Sequence, residues 1–318
     1  MPHTAGGSDP AAGPVDVHQH LWPPALIDAL RARTAAPRLT VDGGDGWTLH
    51  LPGEPPYAVR AADHDVTERQ ALEAGTSLAL VSLSSPLGIE DLAPDDAAPL
   101  LAAWHEGAAQ LPAPFGAWAA VTRLEPDVAE LKDLLAAGFA GLQVPATWLA
   151  TPAALERLAP VLEVCERADR PVLVHPGPVP ARDVRDRAGL PGWWAAVVDY
   201  PAQLQAAWWA WHAAGRTLLP GLRIGFVAGA GLAPVQHERL QARGGTPGPV
   251  DAGVFVETSS YGPQAVDALV RALGIDGVVL GSDRPYGLPG DVRPTMGTAA
   301  ALAIETTNPR RFLQGGTP

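Results

Sequence analysis

Eight short apolar runs, separated by segments long enough to hold helices, constrain this chain more than any other feature. They are Val15–His18, Ser77–Ser85, Gly116–Thr122, Gly141–Ala146, Pro171–His175, Leu222–Ala228, Gly253–Thr258 and Gly277–Gly281. Near-continuous apolar runs of this length read as strands buried on both faces, the pattern of a parallel sheet covered by helices. Pro94–Gln110, Pro126–Ala137, Pro152–Ala168, Trp193–Ala214, Pro234–Ala242, Pro263–Leu273 and the terminal region supply the helices. Proline opens several of them, where the first turn has no internal hydrogen bond to lose. Eight alternations predict an α/β fold, a closed (β/α)8 TIM-like barrel, rather than an open doubly wound sheet. With 318 residues, 47% of them apolar, the chain can bury one large core.

The expected organisation is a flexible segment over 1–14, rich in Pro, Gly and Ala, followed by a single domain over 15–318. A small β-hairpin insertion is predicted at 38–59, after the first strand. Arg38–Val41 and Gly46–Leu51 flank the glycine-rich Asp42–Gly46, whose glycines allow the positive φ of a tight turn.

A parallel barrel brings the carboxyl ends of its strands to one mouth, and metal-ligand residues sit at three of those ends. His18 and His20 close the first run, His175 closes the fifth, and Asp283 follows the eighth. Two histidines separated by one residue project to the same side of a strand. Three imidazoles and a carboxylate suit one divalent metal ion, Zn2+ first and Mn2+ second, with an exchangeable position for water or substrate. Each residue also has a structural use: the histidines can hydrogen-bond across the mouth, and Asp283 can pair with Arg284 or cap backbone amides.

Taken together, Val17-His-Gln-His20, His175-Pro176, Thr258-Ser-Ser-Tyr-Gly262 and Leu280-Gly-Ser-Asp-Arg-Pro285 resemble the amidohydrolase superfamily. The resemblance is to its amidohydrolase-related branch, which includes aminocarboxymuconate-semialdehyde and resorcylate-type decarboxylases, and it runs across nearly the whole barrel. It implies a divalent-metal centre at the mouth, with His18, His20, His175 and Asp283 at the matching ligand positions. The chain departs from the family after the sixth strand, where a catalytic histidine is common and Gly225–Pro234 offers only Gly229 and Ala230. His237 is the candidate replacement, with Asp283 the other candidate for moving protons. Gln143 stands where some members carry a bridging lysine, which favours a mononuclear site.

The leading expectation is a metal-dependent hydrolase acting on an amide, lactone or related carbonyl through metal-bound water. Decarboxylation of a small carboxylic acid by the same metal is the alternative, and a noncatalytic binding barrel is a third reading, supported by the absent histidine. Arg182, Arg185 and Arg187 follow His175 and are candidates for an anionic substrate, because guanidinium groups contact carboxylates directionally. Tyr286 and Tyr261 are candidate hydrogen-bond donors at strand ends, while His50 and His212 read as structural.

A net charge of −12 disfavours a nucleic-acid surface and leaves a small-molecule substrate as the expected partner. No apolar run is long enough for a membrane span, and no secretory leader is evident, so a cytoplasmic protein is the default expectation. Cys165, the one cysteine, reads as a core residue. Trp193, Trp194, Trp208, Trp209 and Trp211 crowd one segment; core packing is the first reading, with a homodimer contact or a pocket wall left open.

Overall fold

The protein is described by a computed structural model covering residues 13–41, 44–52, 54–180, 189–288 and 290–315. The segment 1–12 and the turn residues 42–43 lie outside the described residues. In chain order the strands are β1 (Val15–Gln19), β2 (Arg38–Val41), β3 (Gly46–His50), β4 (Tyr57–Arg60), β5 (Leu78–Val81), β6 (Phe115–Ala117), β7 (Leu142–Pro145), β8 (Val172–His175), β9 (Ile224–Phe226), β10 (Val254–Glu257) and β11 (Val278–Val279). The helices are α1 (Pro24–Ala32), α2 (Val66–Leu72), α3 (Pro94–Ala109), α4 (Val128–Ala137), α5 (Pro152–Arg167), α6 (Tyr200–Leu218), α7 (His237–Ala242), α8 (Pro263–Leu273), α9 (Arg293–Leu302) and α10 (Asn308–Gln314). Proline occupies the first turn of α3, α5 and α8, as the sequence predicts, and of α1 as well.

Two parallel sheets, ordered β1-β5-β6 and β11-β10-β9-β8-β7, account for all eight predicted runs. Hydrogen bonds join them at both edges. Between β6 and β7, Ala119 N donates to Gly141 O (2.9 Å) and Gln143 N to Ala119 O (2.8 Å). Between β1 and β11, Val17 N donates to Leu280 O and Ser282 N to His18 O, both at 3.0 Å. All eight strands therefore point their carboxyl ends the same way.

The register places Leu173, Gly225 and Phe255 in one row across β8, β9 and β10. The fully buried ring of Phe312, from α10, inserts there. A Cβ on Gly225 would lie 2.7 Å from Phe312 Cζ, so glycine makes the room. Phe312 packs at a tilt on Phe255, 5.0 Å away, and on Trp118, 5.8 Å away, whose indole nitrogen donates to Val17 O. The final helix thus fills the core between the two sheets.

Three departures from the sequence reading have local causes. The insertion is a three-stranded antiparallel sheet, β2-β3-β4, because Tyr57–Arg60 pairs with β3 beyond a proline-rich stretch that resembles a linker. The segment expected as one helix from Trp193 makes a π-helical turn at Ala195–Asp199 before α6 begins. After β9, residues 228–232 run through five consecutive left-handed conformations, φ 45° at Ala228 to 61° at Leu232, so only the short α7 remains of the predicted Pro234–Ala242 helix.

Candidate metal centre

Two strand ends, those of β1 and β8, converge on a triangle of buried imidazoles. His18 is the penultimate residue of β1, His20 directly follows the strand and His175 is the last residue of β8; they are 1%, 2% and 5% exposed. Their ring centroids are 4.9, 5.0 and 5.1 Å apart, at interplanar angles of 87°, 66° and 90°. One ligand atom from each lies within 4.8 Å of the others.

In each ring Nδ1 is already engaged. His18 Nδ1 meets Glu257 Oε1 at 3.2 Å, His20 Nδ1 meets Ser82 O and Ser84 Oγ at 3.1 Å, and His175 Nδ1 meets Pro176 O at 2.8 Å. An acceptor at Nδ1 holds the proton there and leaves Nε2 its lone pair, the arrangement that orients metal-binding histidines. His18 Nε2 is buried and has no hydrogen-bond partner. A buried polar atom without a partner carries a desolvation cost that a divalent cation would remove. The donor set therefore fits a metal ion.

Glu257, which the sequence reading missed, organises this arrangement. It ends β10, is 1% exposed, and accepts from His18 Nδ1, Ala228 N (2.5 Å), Ser259 N (2.5 Å) and Ser259 Oγ (2.6 Å). A Cβ on Gly281 would stand 2.2 Å from its Oε2, so the glycine of Gly281-Ser-Asp283 makes room for this carboxylate. The only sequence signal is one acidic residue closing the apolar run Val254-Phe-Val-Glu257.

Asp283 sits in the loop after β11 with φ 56°, a left-handed conformation that Asp tolerates better than most side chains. Its amide donates to His18 O, and its Oδ1 lies 3.2 Å from His20 Nε2. Burial pushes the His18 pKa down, but the Glu257 bond and charge, with Asp283 and Asp16, outweigh it and leave a net rise. Burial lowers His20 despite Asp283, and it lowers His175 well below the ordinary value, aided by His18 and His20.

Other predicted residues divide cleanly. Tyr286 joins the site, its ring 5.5 Å from His20. Its hydroxyl is raised well above the ordinary value by desolvation, then by Tyr57, Asp283, Asp63 and Tyr200. Arg182, Arg185 and Arg187 lie outside the described residues. His237 is not brought to the triangle. Its ring lies against Trp209 (5.8 Å), His212 (6.3 Å) and Trp208 (6.4 Å), because the left-handed turn carries the chain away before α7 starts. His237→Ala is accordingly expected to leave Mn2+ and Zn2+ affinity unchanged within about twofold, as distant sites behave. Chelator competition checks this, and a larger loss would return His237 to the site.

Gln143, on β7, donates to Leu83 O and to Ser85 Oγ, and that hydroxyl donates to Glu90 Oε1. Burial raises Glu90 from 4.5 to about 7, partly opposed by the Ser85 bond. Between those values the native state binds a proton that the unfolded chain has released, so stability falls as pH rises and the contribution is gone above pH 7. Glu90→Gln is expected to flatten this fall by up to about 3 kcal/mol. Asp16, raised to about 6 mainly by burial, leaves a smaller slope in the variant. Urea unfolding at pH 5 and pH 8 measures the difference; equal slopes in both proteins would refute the assignment.

The amidohydrolase family matches residues 15–313. The chain belongs to the amidohydrolase family. No curated protein sequence matched this amidohydrolase. Among solved structures, the apo IDCase of Metarhizium anisopliae is 18% identical, with 95% of this chain and 97% of that one covered and a TM-score of 0.75. The 5-carboxyvanillate decarboxylase LigW of Sphingomonas paucimobilis is 18% identical, covers 95% and 99%, and scores 0.72. The 5-carboxyvanillate decarboxylase of Novosphingobium aromaticivorans, in a mutant form with bound manganese and 3-methoxy-4-hydroxy-5-nitrobenzoic acid, is 20% identical, covers 96% and 98%, and scores 0.70. The fold is shared along nearly the full length, and these neighbours lie in the decarboxylase branch that the sequence resembles.

Proposed function

We propose that this amidohydrolase is a metal-dependent decarboxylase of a small aromatic carboxylic acid. The observation that carries the reading is the triangle of buried imidazoles with Nδ1 engaged and His18 Nε2 unpartnered, set in a fold shared with several decarboxylases. We also read the two joined sheets as one closed (β/α)8 barrel over residues 15–318, with the β2-β3-β4 insertion near its mouth. Support comes from the bonds at both edges and from the influence of Tyr57, on β4, on Tyr286.

His18, His20 and His175 would hold the ion through Nε2, with Asp283 Oδ1 completing the set beside His20. A bound Mn2+ or Zn2+ supplies Lewis acidity toward the carboxylate and any neighbouring oxygen of the substrate. Glu257 fixes the His18 ring. Tyr286, whose ring lies 5.5 Å from His20 and whose pKa is raised well above the ordinary value by desolvation, stays neutral and would donate a hydrogen bond to a substrate oxygen. As the bond between ring carbon and carboxylate breaks, its electron pair stays on the ring carbon. Asp283 Oδ2 delivers a proton to that carbon, carbon dioxide leaves, and solvent reprotonates Asp283.

Asp283 is assigned this step by elimination: Glu257 is saturated by four donors, and Ala228–Leu232 carries no titratable side chain. Decarboxylation is favoured over the hydrolytic reading because several of the most similar solved structures are decarboxylases. The test is release of carbon dioxide from a panel of hydroxylated benzoates by Mn2+- or Zn2+-reconstituted protein, beside a panel of amides and lactones. EDTA-sensitive release supports the proposal. Hydrolysis without decarboxylation would replace it with the hydrolase reading.

A further inference from the structure

Four charged side chains gather beside the two loops that carry His18, His20 and Asp283. Asp16, Arg69 and Glu73 are buried, and Arg284 reaches Glu73 from the loop after β11. Burial is the largest influence on Asp16, which it raises, and on Arg69, which it lowers; Glu73 adds to the first shift and opposes the second. Buried ion pairs add little net stability over apolar side chains of the same volume. Their use here lies in what they hold.

Glu73 directly follows α2, and one of its oxygens takes two bonds. Oε1 accepts from Arg284 Nη1 at 2.5 Å and from Gln19 Nε2 at 3.2 Å. Gln19 stands between His18 and His20, and Arg284 stands next to Asp283. The sequence offers Arg284 as a partner for Asp283, but the structure gives Arg284 to Glu73 and leaves Asp283 facing His20 Nε2. Gln19 is fixed from its other side as well, since Nε2 donates to Asp16 Oδ2 (3.1 Å) and Oε1 accepts from Arg69 Nη2 (2.5 Å). Arg69 Nη1 donates to His20 O at 2.6 Å.

The backbones of the two loops meet in the same place. Asp283 N donates to His18 O at 2.9 Å and His20 N to Arg284 O at 2.6 Å. Asp283, at φ 56°, holds a left-handed conformation that a residue with a side chain keeps only where its surroundings fix it. The Glu73 bond to Arg284 is one such restraint, applied one residue from the strained position.

We propose that Glu73 is a positioning residue for the metal centre: by bonding Gln19 and Arg284 through one oxygen, it sets the carboxylate of Asp283 against the imidazoles of His18 and His20. The inference rests on the ligand set proposed above, in which Asp283 stands beside His20.

Mn2+ affinity by chelator competition and the visible absorption of Co2+-loaded protein read this geometry without turnover. Glu73→Gln keeps the volume and removes the charge, and Arg284→Met tests the same pair from its partly exposed side, so either variant decides if the other does not fold. Each is expected to weaken Mn2+ about tenfold, as loss of a group that orients a ligand does, and to change the Co2+ spectrum in the direction that Asp283→Ala changes it. The double variant should be no weaker than the weaker single one, because both act through one bond. Wild-type affinity and spectrum in either folded single variant would leave the pair a purely structural role and overturn the proposal. Effects that multiply in the double variant would overturn the shared route. Asp283→Ala without effect on either reading would remove Asp283 from the ligand set and take this inference with it. An effect of Asp283→Ala with none of Glu73→Gln would overturn the positioning alone.

Discussion

Glu257→Ala is expected to lower stability by about 3–5 kcal/mol and to weaken Mn2+ or Zn2+ binding by roughly ten- to a hundredfold. The stability loss follows from what the carboxylate leaves behind. His18 Nδ1, Ala228 N, Ser259 N and Ser259 Oγ all lose their acceptor in a region closed to solvent. The affinity loss has a different origin: without Glu257 the His18 ring is free to turn, and its proton is no longer held on Nδ1. Glu257→Gln separates the two effects, since it keeps the volume but presents an amide to donors on one side. It should fall between wild type and alanine in both measurements. Urea unfolding gives the first quantity and chelator competition the second. A folded alanine variant with wild-type metal affinity would show that His18 is not oriented through this carboxylate.

His175→Ala should have the opposite balance, a large metal effect with a small effect on the apo fold. Its ring makes one hydrogen bond, to Pro176 O, so removal orphans little. We expect apo stability to change by no more than about 2 kcal/mol. Removing one imidazole of three should weaken the ion by roughly a hundredfold, on the scale of a multi-ligand site divided among its ligands. Metal content after reconstitution and dialysis, read beside an unfolding curve, decides it. Unchanged occupancy in the folded variant would remove His175 from the ligand set.

These two residues show what the sequence makes legible. His175 could be read because a buried strand announces itself as Val172-Leu-Val and the next residue carries the chemistry. His18 and His20 follow the same logic, since spacing by two is a property of the strand itself. Glu257 closes an equally clear run, yet its importance depends on the backbone of Ala228 and Ser259 and on the missing Cβ of Gly281, none of them local to it. His237 was misplaced for a related reason. A helix start after β9 would have kept it near the strand ends, but the left-handed run at 228–232 redirects the chain. The third strand of the insertion is not legible, because Pro52, Pro55 and Pro56 interrupt the alternation before Tyr57–Arg60 pairs with β3.

The edge at which β1 meets β11 has a consequence for how the protein is made. Ser282 donates to Asp16 across a sequence separation of 266 residues, and Asp283 reaches His18 and His20 from the same loop. Phe312, still closer to the end, fills the core beside them. During synthesis the amino-terminal strand therefore leaves the ribosome long before its partner exists, with its apolar edge unpaired. Contacts this distant in sequence form late and expose such edges to misassembly. On the proposed ligand set, the site is complete only after the loop carrying Asp283 has emerged, which would place metal loading at the end of folding.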